Sequence, residues 1–174
     1  MLLALDLATK TGACWGRGDE IPRLTHLDLP ITGPDVGAFL CAYDDWLKAM
    51  VDAWQPTMIV FEAPVLAARA TPDVTCKLHS LPGVTEMLAT RRGIECRKAY
   101  PVTVKKALTG YGKASKADMV RHCRAYGLEP YTYIVKGEEA SDEADAFGVW
   151  IATLRQHFPQ HAARWSPLFA RSAA

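Results

Sequence analysis

Leu2-Leu3-Ala4-Leu5-Asp6-Leu7 places one acid near the end of an otherwise apolar run. Such a run reads as a buried strand, and an ionised carboxylate inside one costs several kcal/mol unless a cation or a hydrogen-bonding partner offsets it. Asp6 therefore calls for a cation or a base. After the turn signal Thr9-Lys10-Thr11-Gly12 comes a second run, Ala13-Cys14-Trp15-Gly16, and a third candidate strand lies at Leu24-Thr25-His26-Leu27-Asp28-Leu29. Together they predict an antiparallel three-strand meander, closed by the breakers Pro30, Gly33 and Pro34.

Beyond the meander the chain alternates helix and strand. Val36, Leu40, Tyr43, Leu47, Met50 and Trp54 recur at helical spacing and predict one amphipathic helix, ended by Pro56. Thr57-Met58-Ile59-Val60-Phe61 then reads as a buried strand that delivers Glu62 at its end, the second acid in an apolar strand. A looser helix is expected over 73–90, interrupted at Pro82-Gly83, followed by a strand at Ile94-Glu95-Cys96-Arg97-Lys98. Pro101 can open a helix through Thr109, and Ser115-Lys116-Ala117-Asp118 resembles a capping box for another ending at Gly127. Ser141 is the expected N-cap of a helix to about Gln156. A short terminal helix is expected in the tail, with Phe158, Trp165, Leu168 and Phe169 available to pack. The expected organisation is one domain over 1–156 with a tail at 157–174.

At 174 residues, 49% hydrophobic and 22% charged, the chain has the composition of a globular domain, which excludes disordered, collagen-like and coiled-coil classes. No apolar run reaches the ~20 residues of a membrane span, so the expected setting is the cytoplasm. Five scattered cysteines without a Cys-x-x-Cys pair predict reduced thiols, and His157 with His161 lacks the cysteines a zinc site needs. Net charge is +1, yet residues 91–124 hold ten basic groups against two acids, a net +8 beside −7 for the remainder. Such a block is either a solvated surface or a footprint for a polyanion.

Asp142 and Asp145 stand three apart at the start of the last long helix and so share a face, as two carboxylates must if they are to approach one cation. Alone, that spacing is common on solvated helices. It gains weight from Asp6 and Glu62, which sit in apolar strands.

Four patches now converge: Leu3-Ala4-Leu5-Asp6-Leu7 with Thr11-Gly12; Ile59-Val60-Phe61-Glu62; Val104-Lys105 through Gly110-Tyr111-Gly112 to Lys116; and Asp142-Glu143-Ala144-Asp145-Ala146. In order and spacing the chain resembles the RuvC-type Holliday junction resolvases of the ribonuclease-H-like superfamily. The resemblance implies an α/β ribonuclease-H-like fold, with a mixed five-stranded sheet and helices on both faces. It implies Asp6, Glu62, Asp142 and Asp145 as ligands of two Mg²⁺ ions, with Mn²⁺ able to substitute, and Lys116 as a catalytic cation. Two such ions can clamp the attacking and leaving oxygens of a phosphodiester. The implied substrate is four-way or related branched DNA and the implied assembly a homodimer, with no membrane and no nucleotide cofactor. The basic block then has a purpose, and Arg97, Lys98, Lys105, Lys106, Lys113 and Lys116 become candidate phosphate contacts.

One departure concerns base stacking. The family commonly carries an aromatic residue three positions beyond the strand glutamate, where this chain has Val65, and Tyr111 is the candidate to supply an aromatic face instead. Trp46, Trp54 and Leu78 are candidates for a dimer surface. Asp6 with Thr9, Thr11 and Gly12 also resembles the phosphate loop of actin-like ATPases, but those need two such domains, about twice this length. A related nuclease acting on RNA, flapped or single-stranded nucleic acid is the remaining alternative.

Overall fold

β1 (Leu2–Asp6), β2 (Lys10–Gly16) and β3 (Arg23–Asp28) form the meander expected, each antiparallel to the next. The computed structural model describes residues 1–64 and 71–165, so Val65, Leu168 and Phe169 lie outside the described residues. Lys10, Thr11 and Gly12 belong to β2 rather than to a turn, because Asp6 pairs directly with Gly12 and the connection shrinks to three residues. The Thr11 hydroxyl donates to the Ala8 carbonyl at 2.8 Å and closes that short connection.

α1 (Val36–Trp54) is capped by Asp35, whose carboxylate accepts from the Ala38 amide at 2.8 Å. β4 (Met58–Glu62) runs parallel to β1, and β5 (Glu95–Ala99) runs parallel to β4. The sheet order is therefore β3-β2-β1-β4-β5. α2 (Pro72–Arg91) joins β4 to β5 and runs unbroken through Pro82, contrary to the interruption expected there. Leu81, Pro82, Thr85, Leu88 and Ala89 form a continuous buried stripe, and Tyr43 of α1 hydrogen-bonds Thr85 at 2.6 Å. Burial of that stripe, about 1.5–3 kcal/mol for each large apolar side chain, outweighs the roughly 3 kcal/mol a helix-interior proline costs.

α3 (Pro101–Thr109) and α4 (Lys116–Ala125) follow, and Ser115 and Asp118 make the reciprocal bonds of the expected capping box. Then comes a hairpin the sequence reading did not include, β6 (Tyr133–Val135) with β7 (Glu138–Ala140). Its two-residue link, Lys136-Gly137, has φ of +52° and +83°, the left-handed pair of a type I′ turn. α5 (Asp142–His157) starts at the expected cap, Ser141, which accepts from the Ala144 amide at 3.1 Å.

The sheet divides two cores. Leu3, Leu5, Ile59 and Phe61 face α1 and α2, while Leu2, Ala4, Met58 and Val60 face α3, α4 and α5. By the two-residue alternation of strands, Asp6 and Glu62 point toward the α5 side. α5 is buried almost throughout, sandwiched between the sheet and α3 and α4. A Cβ on Gly148 would lie 2.7 Å from the terminal methyl of Met119 and 2.9 Å from a Val104 methyl, so a larger residue there would require the α3 and α4 side chains to shift. The C-terminal segment, α6 (Pro159–Ala162) and a 3₁₀ turn at Ala163–Trp165, packs back on this core. Trp165 is buried against Phe147 and Trp150 and donates its indole N–H to the Gly18 carbonyl at 2.8 Å. Trp54 packs on Trp15, and Trp46 and Leu78 lie half-buried against the same core. The five cysteines are free thiols.

Candidate metal centre

Parallel pairing puts the C-terminal ends of β1 and β4 side by side, with Leu5 opposite Phe61, so Asp6 and Glu62 emerge at the same edge of the sheet. α5 delivers its first turn to that edge. Its approach depends on Gly12, where a Cβ would lie only 2.0 Å from the Asp142 carbonyl oxygen and 2.8 Å from the Glu143 nitrogen. Any other residue at position 12 would push the helix off β2, and Gly12 is the residue that pairs with Asp6.

Carboxylate oxygens of Asp6, Asp142 and Asp145 lie within 4.8 Å of one another. Glu62 stands outside this tight group, although the charge of Asp145 reaches it. Lys116, at the first position of α4, sets its Nζ 3.5 Å from Asp145 and 3.8 Å from Asp142. Lys105 donates to the Ala114 carbonyl at 2.8 Å, which ties α3 to the loop before Lys116 and places a second cation near Glu62 and Asp145.

The electrostatics describe a site with surplus negative charge. Burial, followed by the charges of Asp145, Glu62 and Asp142, raises the pKa of Asp6 well above the usual carboxylate range. Burial and then Asp145 push Glu62 up to about 7, against the opposing pull of Lys105 and Lys116. Asp145 is also raised, chiefly by burial, with Asp142 adding to the effect and Lys116 resisting it. Burial alone would lower Lys116, but Asp145, Asp142 and Asp6 together raise it. Lys116 and Lys105 together do not balance the four acids. Convergent hard oxygen donors at a helix N-terminus fit a divalent cation.

A sequence profile of the family described as crossover junction endodeoxyribonuclease RuvC matches residues 23–152. The chain belongs to the RuvC family. The matched span contains Glu62, Lys105, Lys116, Asp142 and Asp145, whereas Asp6 precedes it. Among curated relatives, RuvC of Rickettsia massiliae is 32% identical over 103 residues, 59% of this chain and 61% of that protein. RuvC of Rickettsia akari is 31% identical over 110 residues, covering 63% and 66%. The chain thus spans about three fifths of the length of the curated relatives it matches. Among solved structures, Thermus thermophilus RuvC in complex with a Holliday junction substrate superposes with a TM-score of 0.70 at 16% identity, covering 92% of this chain and 96% of that one. The yeast mitochondrial Holliday junction resolvase Ydc2 gives 0.64 at 15% identity, covering 99% and 84%. The fold of this RuvC-family chain is accordingly ribonuclease-H-like, as its mixed five-stranded sheet anticipated.

The basic residues divide into two sets. Arg97 pairs with Glu95, and Lys98 with Glu86 at 2.8 Å, so both are engaged within the chain. Lys106, Lys113 and Tyr111 are exposed on and beside the Gly110-Tyr111-Gly112 turn. The sequence motifs contain Gly12 and Glu143 without a role for either, and give none to Tyr133 or His26. The Tyr133 hydroxyl donates to Asp142 Oδ2 at 2.7 Å. Glu143 is buried and accepts from His26 Nδ1 at 2.7 Å and from the Tyr131 amide at 2.8 Å. A signal for Tyr133 was present in the aromatic and β-branched run Tyr131-Thr132-Tyr133-Ile134-Val135 before Lys136-Gly137. No helix among the described residues is long and apolar enough to cross a membrane.

Proposed function

We propose that this chain is a structure-selective, metal-dependent endodeoxyribonuclease that cleaves phosphodiesters of four-way or related branched DNA, working as a homodimer. The observation that carries the reading is the convergence of Asp6, Asp142 and Asp145 within 4.8 Å, in a chain that matches the RuvC family over residues 23–152. Asp6, Glu62, Asp142 and Asp145 are the ligands, and Mg²⁺ is the ion, two per site, with Mn²⁺ able to replace it. When bound, these ions supply an activated water and a counter-charge for the departing 3′ oxygen.

The chain's own groups do the rest. The α5 N-terminus sets the partial positive charge of its free amides beside Asp142 and Asp145. Lys116, half-exposed and beside both, faces the charge that builds on the phosphate during displacement. Lys105 holds the loop that presents Lys116. Lys106 and Lys113 draw the phosphate backbone toward the acidic centre, and Tyr111, 61% exposed, offers a face for a base. Arg97 and Lys98 contribute less, because binding DNA would break their internal ion pairs. Two symmetric cuts across a junction require two active sites related by a twofold axis, which a C2 dimer provides.

Cleavage of labelled four-way junction, flap, single-stranded and RNA–DNA substrates, side by side in Mg²⁺ and in Mn²⁺, tests the proposal. Paired nicks across the junction support it. Cleavage confined to the other substrates would assign the alternative nuclease activity, and no cleavage in either metal would sink the catalytic reading.

A further inference from the structure

Asp142 presents its two oxygens to different neighbours. Oδ1 lies 3.8 Å from the Lys116 amine, which also stands 3.5 Å from Asp145, whereas Oδ2 accepts the Tyr133 hydroxyl at 2.7 Å. Asp142 is only 4% exposed, so bulk water has little access to replace that phenol.

Tyr133 comes from neither the sheet nor α5 but from the β6–β7 hairpin, which is held on two flanks. Arg124 of α4 grips Glu139 of β7 through two parallel bonds of 2.8 and 2.7 Å. Two residues before Tyr133, the Tyr131 amide donates to Glu143, whose second oxygen takes His26 of β3, and the His26 ring stacks on Tyr131 at 4.5 Å. The hairpin that carries the phenol is therefore held by contacts with α4, β3 and Glu143 of α5, none of which uses Asp6, Glu62 or Asp145. A tyrosine phenol, ordinarily titrating at about 10, carries its proton at neutral pH and donates to the carboxylate.

We infer that Tyr133 is a positioning residue for the metal centre: by occupying Asp142 Oδ2 it fixes the carboxylate so that Oδ1 is presented to the cation. The inference rests on Asp142 being a metal ligand as proposed above. Outer hydrogen bonds to ligating groups are worth 10–100-fold in metal affinity in comparable sites. The Glu143–His26 bond then acts as a brace for the strand that carries Tyr133.

The test is calorimetric titration of Mn²⁺ alone into the full chain, without DNA, for wild type, Tyr133→Phe, Asp142→Asn, their double variant and Tyr131→Phe. Tyr133→Phe is expected to weaken Mn²⁺ binding about 10–100-fold, with a metal-free Tm lowered by no more than the loss of one buried hydrogen bond. Tyr131→Phe, which keeps its backbone bond to Glu143, is expected to bind as wild type does. The double variant should bind no more weakly than Asp142→Asn, because the phenol acts only through Asp142. Unchanged Mn²⁺ affinity in Tyr133→Phe, or additive losses in the double variant, would overturn the inference. So would a lower metal-free Tm with affinity retained, which would make Tyr133 a purely structural contact. If Asp142→Asn itself leaves Mn²⁺ affinity intact, the ligand assignment fails first, and the inference falls with it.

Discussion

Replacing Glu62 by Gln should stabilise the metal-free protein, and only above a definite pH. Glu62 sits at the C-terminal end of β4, and its pKa is raised from 4.5 to about 7, first by burial and then by Asp145. An acid whose pKa is raised on folding binds protons more tightly in the folded state. Stability is therefore lost as pH climbs from about 4.5, and the full penalty is present above about 7. A rise from 4.5 to about 7, at about 1.4 kcal/mol per tenfold change in proton affinity, sets a ceiling of about 3.5 kcal/mol. Partial exposure of the side chain reduces this to roughly 1–2 kcal/mol, or about 2–8 °C in Tm for a chain of this size. Thermal melts by circular dichroism in EDTA should show wild type and Glu62→Gln converging near about pH 4 and separating toward about pH 8, the variant melting higher. Saturating Mn²⁺ should close or invert the gap, because the wild type gains stability from binding. A gap of equal size at both pH values, or a wild type that melts higher at the alkaline end in EDTA, would refute the electrostatic reasoning.

Asp6→Asn should abolish cleavage while leaving junction binding within a few-fold, and should raise the metal-free Tm; retained nicking, or a large fall in that Tm, would make Asp6 a structural residue. Gly12→Ala should cost roughly 2–3 kcal/mol of stability by overpacking and weaken Mn²⁺ binding as well, since its methyl would displace the start of α5; a wild-type Tm and affinity would contradict this. Lys106→Ala and Lys113→Ala should each make the salt dependence of junction binding shallower by about one phosphate contact. Lys98→Ala, whose amine already pairs with Glu86, should change that slope less, and anisotropy titrations across a salt series distinguish the cases.

Most of the architecture could be read because strand and helix carry different hydrophobic periods. β1 and β4 were visible as apolar runs ending in acids, and α5 as an N-cap followed by Asp142 and Asp145. What escaped were contacts between distant segments. Thr11-Gly12 reads locally as a turn; that Gly12 exists to admit the Asp142 carbonyl is a relation between residues far apart in sequence, with no local trace. Pro82 misled because its local cost was weighed without the buried stripe that α1 provides. The hairpin failed for a different reason: three-residue strands are too short to establish alternation, so its local marks were the β-prone run 131–135 and the Lys136-Gly137 turn. Glu143 stood in the sequence only as a member of the Asp142–Ala146 motif, yet it bonds His26 and Tyr131.

Two of the four acids ride on the sheet and two on the helix above it, so the span between the pairs is the separation of two layers. A shift of α5 by a fraction of its 5.4 Å pitch would leave each carboxylate on its own element and still dismantle the group. The centre is thus a gauge of interlayer registry. Substitutions deep in the α3–α4–α5 core, such as enlarging Gly148 or truncating Trp165, would be felt at the acids as a loss of alignment long before the fold gave way.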